Sequence, residues 1–495
     1  MTSAPEHPVA PAAADVPLSD LMDAAVSAVG GSPRPGQQTM AEAVDLAMSG
    51  GRHLLVQAGT GTGKSLGYLV PAMRHALVTG RPVVISTATI ALQTQIVRKD
   101  LPRLAEALAP HLPRTPTFAL LKGRANYLCK HKIAGGYPVD IEPGALFSEA
   151  SSDPSRTGGE KLGTQVKRLR EWAEETDTGD RDSLEDAVSD RAWRQVSVTG
   201  NQCIGTSCPM IQDCFAERSR EVAREVDVVV TNHALLAIDS FDRHGIIPEH
   251  DVVVFDEAHD LTARVTSAVT EVLNPGMLRG AVRDLRGLGV AATALDDAGE
   301  ELRAALELAP DGRVLGDLPD QLADAVGHVR VEARTAHSDA KDAGDDSSAG
   351  ARKTVRANLQ EIIDVCERLT DPGEDDVVSV SRGQATGRAS LQVAPLSVAA
   401  AMRAKRPSAV SSSATCSGVA PFCGPKTCAA PSGPVAGAVV SVSSTHSIAP
   451  AGTLTLAVSK PLRSRSASST FAPSRTAGTS CSDPSFLPRP RGVRT

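Results

Sequence analysis

The sequence predicts an α/β fold: a parallel sheet that carries a phosphate-binding loop, interrupted by a cysteine-bearing insert and a helical insert, and followed by a disordered tail. Three observations predict it. Residues 57–65, QAGTGTGKS, stand between an apolar strand and a helix. A second apolar strand, DVVVF at 251–255, runs into Asp256-Glu257-Ala258-His259. The alternation of strand and helix around both motifs stops at 122–224 and again after 261, and all periodicity is lost after 406.

In chain order, residues 1–17 are polar and rich in Pro and Ala, which predicts a disordered start with no export signal. Residues 18–29 read as a helix. Arg34 and Gln37 in RPGQQTMAEAV stand just upstream of the loop, where Gln37 suits a bidentate hydrogen bond to adenine; a polar helix start is an equal reading of these residues alone.

Residues 53–57 form a short strand, and Gly59, Gly61 and Gly63 let the backbone curl until its N–H groups face an anion. The following helix adds its positive N-terminal end. Ala58 occupies the first position of the pattern G-x-x-x-x-G-K-[ST], and alanine is the smallest replacement for that glycine. Thr60 and Thr62 complete the loop. Lys64 is placed to reach the β- and γ-phosphates of ATP, and the Ser65 hydroxyl to hold Mg²⁺. Residues 82–86 form the next strand and lead into STATIALQTQ, where Thr87, Thr89 and Gln93 offer polar groups at a strand's carboxyl end, the end at which open α/β sheets bind ligands. Residues 117–121 form a further strand.

Residues 122–224 break the pattern. They carry KGRANYLC, a polar stretch, a helix at 161–175 and NQCIGTSCPMIQDCF. Cys129, Cys203, Cys208 and Cys214 are spaced C-x73-C-x4-C-x5-C. Thiolates gathered this way suit an iron–sulfur cluster. The absence of C-x2-C knuckles argues against zinc, although spacing alone leaves zinc and unrelated buried thiols open. Lys122, Arg124, Tyr127, Lys130 and Lys132 crowd the first cysteine and suit a single-strand path, cations tracking phosphates and a tyrosine face stacking on a base. Trp172 and Trp193 are expected to pack inside the insert.

Alternation resumes at 227–231 and reaches the acid box, where Asp256, on a strand beside that of the loop, suits Mg²⁺ and Glu257 suits orienting the attacking water. Here the motifs combine. AGTGTGKS, four cysteines between that loop and the acid box, VVVTNHALL at 228–236 and DEAH together resemble the DinG/XPD family of iron–sulfur superfamily 2 DNA helicases, in particular its bacterial DinG-type branch. The resemblance covers residues 20–405. It implies a RecA-like motor lobe, a [4Fe-4S] cluster on the four cysteines, an arch insert, adenine reading by Arg34 and Gln37, and ATP-driven 5′ to 3′ unwinding from single-stranded DNA at forked or duplex DNA in repair or replication. Lys64, Asp256 and Glu257 are then the catalytic set. The chain is expected to act as a monomer.

Residues 261–389 read as the helical arch-like insert, with Val355, Leu359, Ile362, Cys366 and Leu369 on one helical stripe, so Cys366 is a core thiol. Residues 390–406 are expected to return to the first lobe, whose parts are then 18–121 and 225–260. QATGR at 384–388 matches the start of the family's Q-x-x-G-R-x-x-R, but Leu391 stands at its last position, and it precedes the place of a second lobe.

The family's second lobe has no counterpart in residues 407–495, which contain no Glu, Tyr or Trp and are rich in Ser, Ala, Pro and Gly. Such a composition predicts disorder, and the abrupt change suggests an out-of-frame tail. Ser413-Ala414-Thr415 and Cys416, Cys423, Cys428 and Cys481 therefore receive no role. The alternative to a motor is a non-enzymatic fragment that binds ATP and single-stranded DNA.

Overall composition agrees with this frame. The 495 residues are 41% hydrophobic with no apolar run near twenty, so no membrane span is expected. Nine cysteines without an export signal point to the cytoplasm and to metal ligation before disulfides. The net charge of −7 offers no overall attraction for nucleic acid, which leaves local basic patches to do it.

Overall fold

The computed structural model describes residues 12–59, 61–137, 161–242, 245–341, 343, 349–383, 388–398, 438–443 and 454–459. Eleven strands are described: β1 (His53–Ala58), β2 (Val83–Thr87), β3 (Phe118–Leu120), β4 (Val228–Asn232), β5 (Val252–Asp256), β6 (Glu271–Leu273), β7 (Gly312–Arg313), β8 (Asp376–Arg382), β9 (Ala389–Pro395), β10 (Ala438–Ser443) and β11 (Leu454–Ser459). Seven form one sheet in the order β11-β1-β10-β5-β2-β4-β3. All neighbours in it are parallel except β11, which pairs antiparallel with β1. Parallel strands are buried on both faces, which is why β2 and β4 read as unbroken β-branched runs, VVIST and VVVTN.

One face is covered by α1 (Leu18–Ala28), α2 (Pro35–Ser49), α3 (Lys64–Thr79) and α5 (Leu101–Leu108). Leu21, Met40, Met48, Leu69, Met73 and Leu104 pack there on Leu54, Ile85 and Val254. Each such side chain taken out of water contributes about 1.5–3 kcal/mol. The opposite face, through Val84, Val229 and Phe255, packs on Leu235, Leu236 and Ile247.

The cysteine insert has its own core of Tyr127, Leu169, Trp193, Val196 and Phe215. Its tryptophans behave as expected: Trp193 is buried with Nε1 donating to the Ala125 carbonyl at 2.7 Å, and Trp172 packs against the same core. The helical insert runs through Pro275–Gly287, Thr293–Leu308, Asp320–Asp339 and Ala349–Thr370. Cys366 is fully buried in its core, and burial pushes that thiol up to about 12.

Two expectations are corrected and one, the disordered tail, is narrowed. The strands at 376–395 do not return to the first lobe: β9 pairs with β8 and β6, and with β7 these make a separate four-stranded sheet that closes the helical insert. The reason is hydrogen bonding, since an antiparallel partner lies one tight connection away. The tail departs from disorder at β10 and β11, where AVVSVS and LTLAVS concentrate β-branched residues. Finally, the acid-box strand is not beside the loop strand. β10 lies between them, with Val440 opposite both Leu54 and Val254. Residues 413–415 and the four tail cysteines lie outside the described residues, as do 384–387 of the QATGR segment and the expected helix to 405.

Candidate functional site

β1 and β5 end at the same edge of the sheet, and the loop and the acid box meet there. α3 begins at Lys64 after Gly63 in the left-handed region (φ 78°), with Gly61 also at φ 78°. At Gly63 a β-carbon would stand 2.1 Å from Gln37 Nε2, so a larger residue would both push Gln37 off the loop and strain the positive φ. Gln37, only 6% exposed, donates from Nε2 to the Gly63 carbonyl at 2.8 Å, and the Arg34 guanidinium donates to the Gly61 carbonyl. Both residues predicted to read adenine therefore brace the loop's main chain in this structure. Thr62 Oγ1 donates to the Gly59 carbonyl at 2.9 Å, closing the turn. Ala58 is buried at the end of β1, and Thr60 lies outside the described residues.

Lys64 Nζ makes an ion pair with Glu257 Oε1 at 3.0 Å. Asp256 is almost wholly buried, and its Oδ2 accepts from the Tyr68 hydroxyl at 3.0 Å. Burial raises the Asp256 carboxyl; the Glu257 charge adds to this, while the Tyr68 hydrogen bond and Lys64 oppose it. Burial, and then Asp256, pushes the Tyr68 hydroxyl well above its ordinary value, so Tyr68 remains a donor; Ser65 also hydrogen-bonds that hydroxyl. Glu257 has φ 53°, alone among the described non-glycine residues in the left-handed region, a conformation costing about 1–2 kcal/mol. Its N–H donates to Asp256 Oδ1 at 3.1 Å, and His259 Nδ1 lies 3.2 Å from its Oε2. Lys64, Ser65, Asp256 and Glu257 thus converge as expected.

Sequence reading missed Tyr68. The signal was available: in a chain with three tyrosines, this one stands a helical turn after Lys64 and Ser65, on the same face of α3. It also missed His233, buried beside the acid box with Nδ1 2.7 Å from Ser86 Oγ. At the end of β2, Thr89 caps α4 (Ile90–Gln95) by accepting from the Leu92 N–H, and Gln93 is buried rather than offered to a ligand.

The second cluster is the set of four thiols. Cys129, Cys203, Cys208 and Cys214 are free, half-buried and line one cavity together with Arg124, Lys130, His131 and Tyr137. Cys129 and Cys214 each directly precede a helix, Lys130–Ile133 and Phe215–Glu225. The Gly205 N–H donates to Cys203 Sγ at 3.3 Å, and Arg124 donates to Cys214 Sγ at 3.8 Å. Burial, followed by the neighbouring thiols, pushes Cys129 up to about 11. Among the described residues no three His, Cys, Asp or Glu side chains converge tightly enough for a single metal ion. Four thiols lining one cavity are the donor type that an iron–sulfur group takes.

The expected single-strand path is largely corrected. Lys122 is 4% exposed and bound to Asp180 at 2.6 Å and Asp182 at 2.5 Å, pinning the insert to the sheet. Tyr127 is buried with its hydroxyl 2.9 Å from Ser219 Oγ, and Lys130 lies 4.9 Å over the Phe215 ring. Only Arg124 of that set lines the large cleft, of about 1370 Å³, between the cysteine insert, the sheet and the helical insert. Its other lysines and arginines, Arg220, Lys341, Arg352, Lys353, Arg356 and Arg368, outnumber Glu271, Glu361 and Asp364, and Arg368 is itself paired with Glu271 and Asp376. Sequence reading missed the lysines and arginines of 341–356 because they are brought to the cleft by folding of the helical insert.

A DEAD/DEAH box helicase family model matches residues 34–112, the stretch that bears the loop. The chain is 42% identical over 393 residues to the "ATP-dependent helicase DinG" of Mycobacterium tuberculosis (strain ATCC 25177 / H37Ra), covering 77% of this chain and 59% of that protein. Over those 393 residues the chain is similar to DinG. The "ATP-dependent DNA helicase YoaA" of Escherichia coli (strain K12) is 37% identical over 267 residues, 52% of this chain and 37% of that protein. Among solved structures, "XPD_Helicase" aligns with TM-score 0.38 and 14% identity over 74% of this chain and 54% of that one. This DinG-like chain spans about three fifths of the length of the first curated relatives it matches. No helix among its described residues is long and apolar enough to cross a membrane.

Proposed function

We propose that this DinG-like chain is an ATP-dependent DNA helicase motor that couples ATP hydrolysis to 5′ to 3′ movement on single-stranded DNA. The convergence of Lys64, Ser65, Asp256 and Glu257, with Tyr68 fixing Asp256, carries the reading. Lys64 leaves Glu257 to meet the β- and γ-phosphates, which frees the Glu257 carboxylate to orient the attacking water. Ser65 and Asp256 supply oxygen ligands suited to Mg²⁺. Arg34 and Gln37, which brace the loop in this structure, read adenine only on releasing the Gly61 and Gly63 carbonyls.

Single-stranded DNA runs in the basic cleft beside the cysteine insert, where cations meet phosphates. Cys129, Cys203, Cys208 and Cys214 hold a [4Fe-4S] cluster, whose contribution when bound is to cross-link the insert at the point where strands part. Repair or replication at forked or duplex DNA in the cytoplasm, by a monomer, is the setting this reading implies; the free thiols suit that compartment.

The test is ATP hydrolysis with and without single-stranded DNA, on this chain and on Lys64→Ala. DNA-stimulated hydrolysis that Lys64→Ala abolishes is the expected result. ATP binding with no hydrolysis in either condition would overturn the motor reading in favour of a non-enzymatic fragment that binds ATP and single-stranded DNA.

A further inference from the structure

Beside the acid box stands a buried imidazole to which nucleotide chemistry assigns no task. His233 begins the helix His233–Asp242 directly after β4 and is 1% exposed. Its ring reaches across the sheet. Nδ1 lies 2.7 Å from Ser86 Oγ on β2, and the ring tilts against Phe255 on β5 with centroids 5.9 Å apart. Strand register produces this reach, because Ser86 stands opposite both Thr231 and Phe255. The main-chain carbonyls of Asp256 and Glu257 also lie against the ring. Yet Nε2 is buried without closing a hydrogen bond to either.

A neutral imidazole buried in this way carries a single ring proton. A lone pair on Nε2 would face two carbonyl oxygens, both acceptors, and be repelled. The proton is therefore assigned to Nε2, and the Ser86 hydroxyl donates to Nδ1. A buried N–H left unmade costs about 1–3 kcal/mol. Here that cost sits next to Glu257, the strained residue of the turn.

We propose that His233 is a positioning residue for the acid box, its Nε2–H held ready for the main-chain carbonyls of Asp256 and Glu257, so that the left-handed turn keeps its shape when the Lys64–Glu257 pair opens. The opening rests on the nucleotide reading above; the brace on the turn does not. Ser86 sets the tautomer, which ties the end of β2 to the acid box through one ring.

Two variants separate this from simple space-filling. His233→Asn keeps an acceptor near Ser86 and loses the group at the Nε2 position, whereas His233→Gln places an amide N–H at that depth. The readout is hydrogen exchange at the Asp260 amide, which donates to the Glu257 carbonyl at 3.0 Å and reports opening of the turn. His233→Asn is expected to speed that exchange about tenfold, and His233→Gln to restore it to within about twofold of the parent. Equal exchange in the two variants, or no change in either, overturns the proposal. If His233→Asn does not fold, Ser86→Ala takes its place: it leaves the ring in position and releases the tautomer, so faster Asp260 exchange supports the proposal and unchanged exchange overturns it. A fluorescent ATP analogue adds a second arm, in which His233→Asn weakens binding about tenfold with Mg²⁺ and leaves binding in EDTA unchanged. A parent chain that binds no nucleotide would overturn the nucleotide reading, while the exchange result would still decide the role of His233.

Discussion

The nucleotide loop and the four-cysteine cavity are both made where a loop enters a helix, but they are held in different ways. Around the loop, key polar groups are engaged by others from distant parts of the chain: Gln37 on the Gly63 carbonyl, Lys64 on Glu257, Tyr68 on Asp256. Around the cavity, the thiols meet main-chain amides and one guanidinium, and no thiol is bonded to another. The first site keeps its shape through its own hydrogen bonds. The second is gathered by topology and by the apolar core of the insert. On the proposed cluster reading its cohesion would depend on the group that binds the thiols, some seventy residues along the sequence from the preorganised loop.

This contrast can be broken or sharpened by substitution. The largest effect is expected at Lys64, where alanine removes the phosphate-facing cation and lowers ATP turnover by about 10²–10³-fold. Its melting temperature should stay near that of the parent, because Glu257 gains water in exchange; a collapse of stability would mean that the pair is structural.

Cys203→Ser should abolish iron retention and make residues 122–214 the first cut by protease, while nucleotide affinity at the loop changes less than about twofold, as expected for separate sites. Equal damage at both sites, measured by iron content and nucleotide titration, would erase the contrast. Tyr68→Phe leaves a buried Asp256 oxygen without its donor, at a cost of about 1–3 kcal/mol in denaturant melts. Lys353→Ala in the cleft should weaken single-stranded DNA binding at low salt and reduce the slope of log affinity against log salt by about 1. An unchanged slope would place the strand elsewhere.

The smallest effect concerns pH. Burial raises the folded-state pKa of Asp256 above its unfolded value, so its protonated form favours folding. That contribution is fully present below the unfolded carboxylate range and is lost as pH rises through the raised folded value. Asp256→Asn should therefore melt higher than the parent at neutral pH, by a small margin that closes on acidification. Melting curves at two pH values check the sign.

Much of the fold was legible because the first lobe is locally consistent. The strand at 53–57, the buried runs of β2, β4 and β5 and the helices between them carry their own periodicity. Gly63 could be read because the loop's left-handed turn favours glycine there, and Cys366 because it lies on a helical stripe. What stayed hidden depends on distance. Lys122 looked like a phosphate contact until Asp180 and Asp182 were brought to it, and Arg34 and Gln37 looked outward until the loop folded onto them. β10 and β11 were lost in averaging: six β-prone residues vanish within a long Ser/Ala/Gly tract, and nothing local says that the sheet has a place for them.

That place has a consequence for the order in which the protein is made. With Val440 between Leu54 and Val254, the strand that joins the loop to the acid box leaves the ribosome after both of them. Until then β1 and β5 each present a row of unpaired backbone groups, a template for any extended segment nearby. Pairing so distant in sequence makes closure a slow, late step. The junction between loop and acid box is therefore completed late, with only the edge strand β11 still to follow, and translation must run through residue 443 before its two halves share a strand.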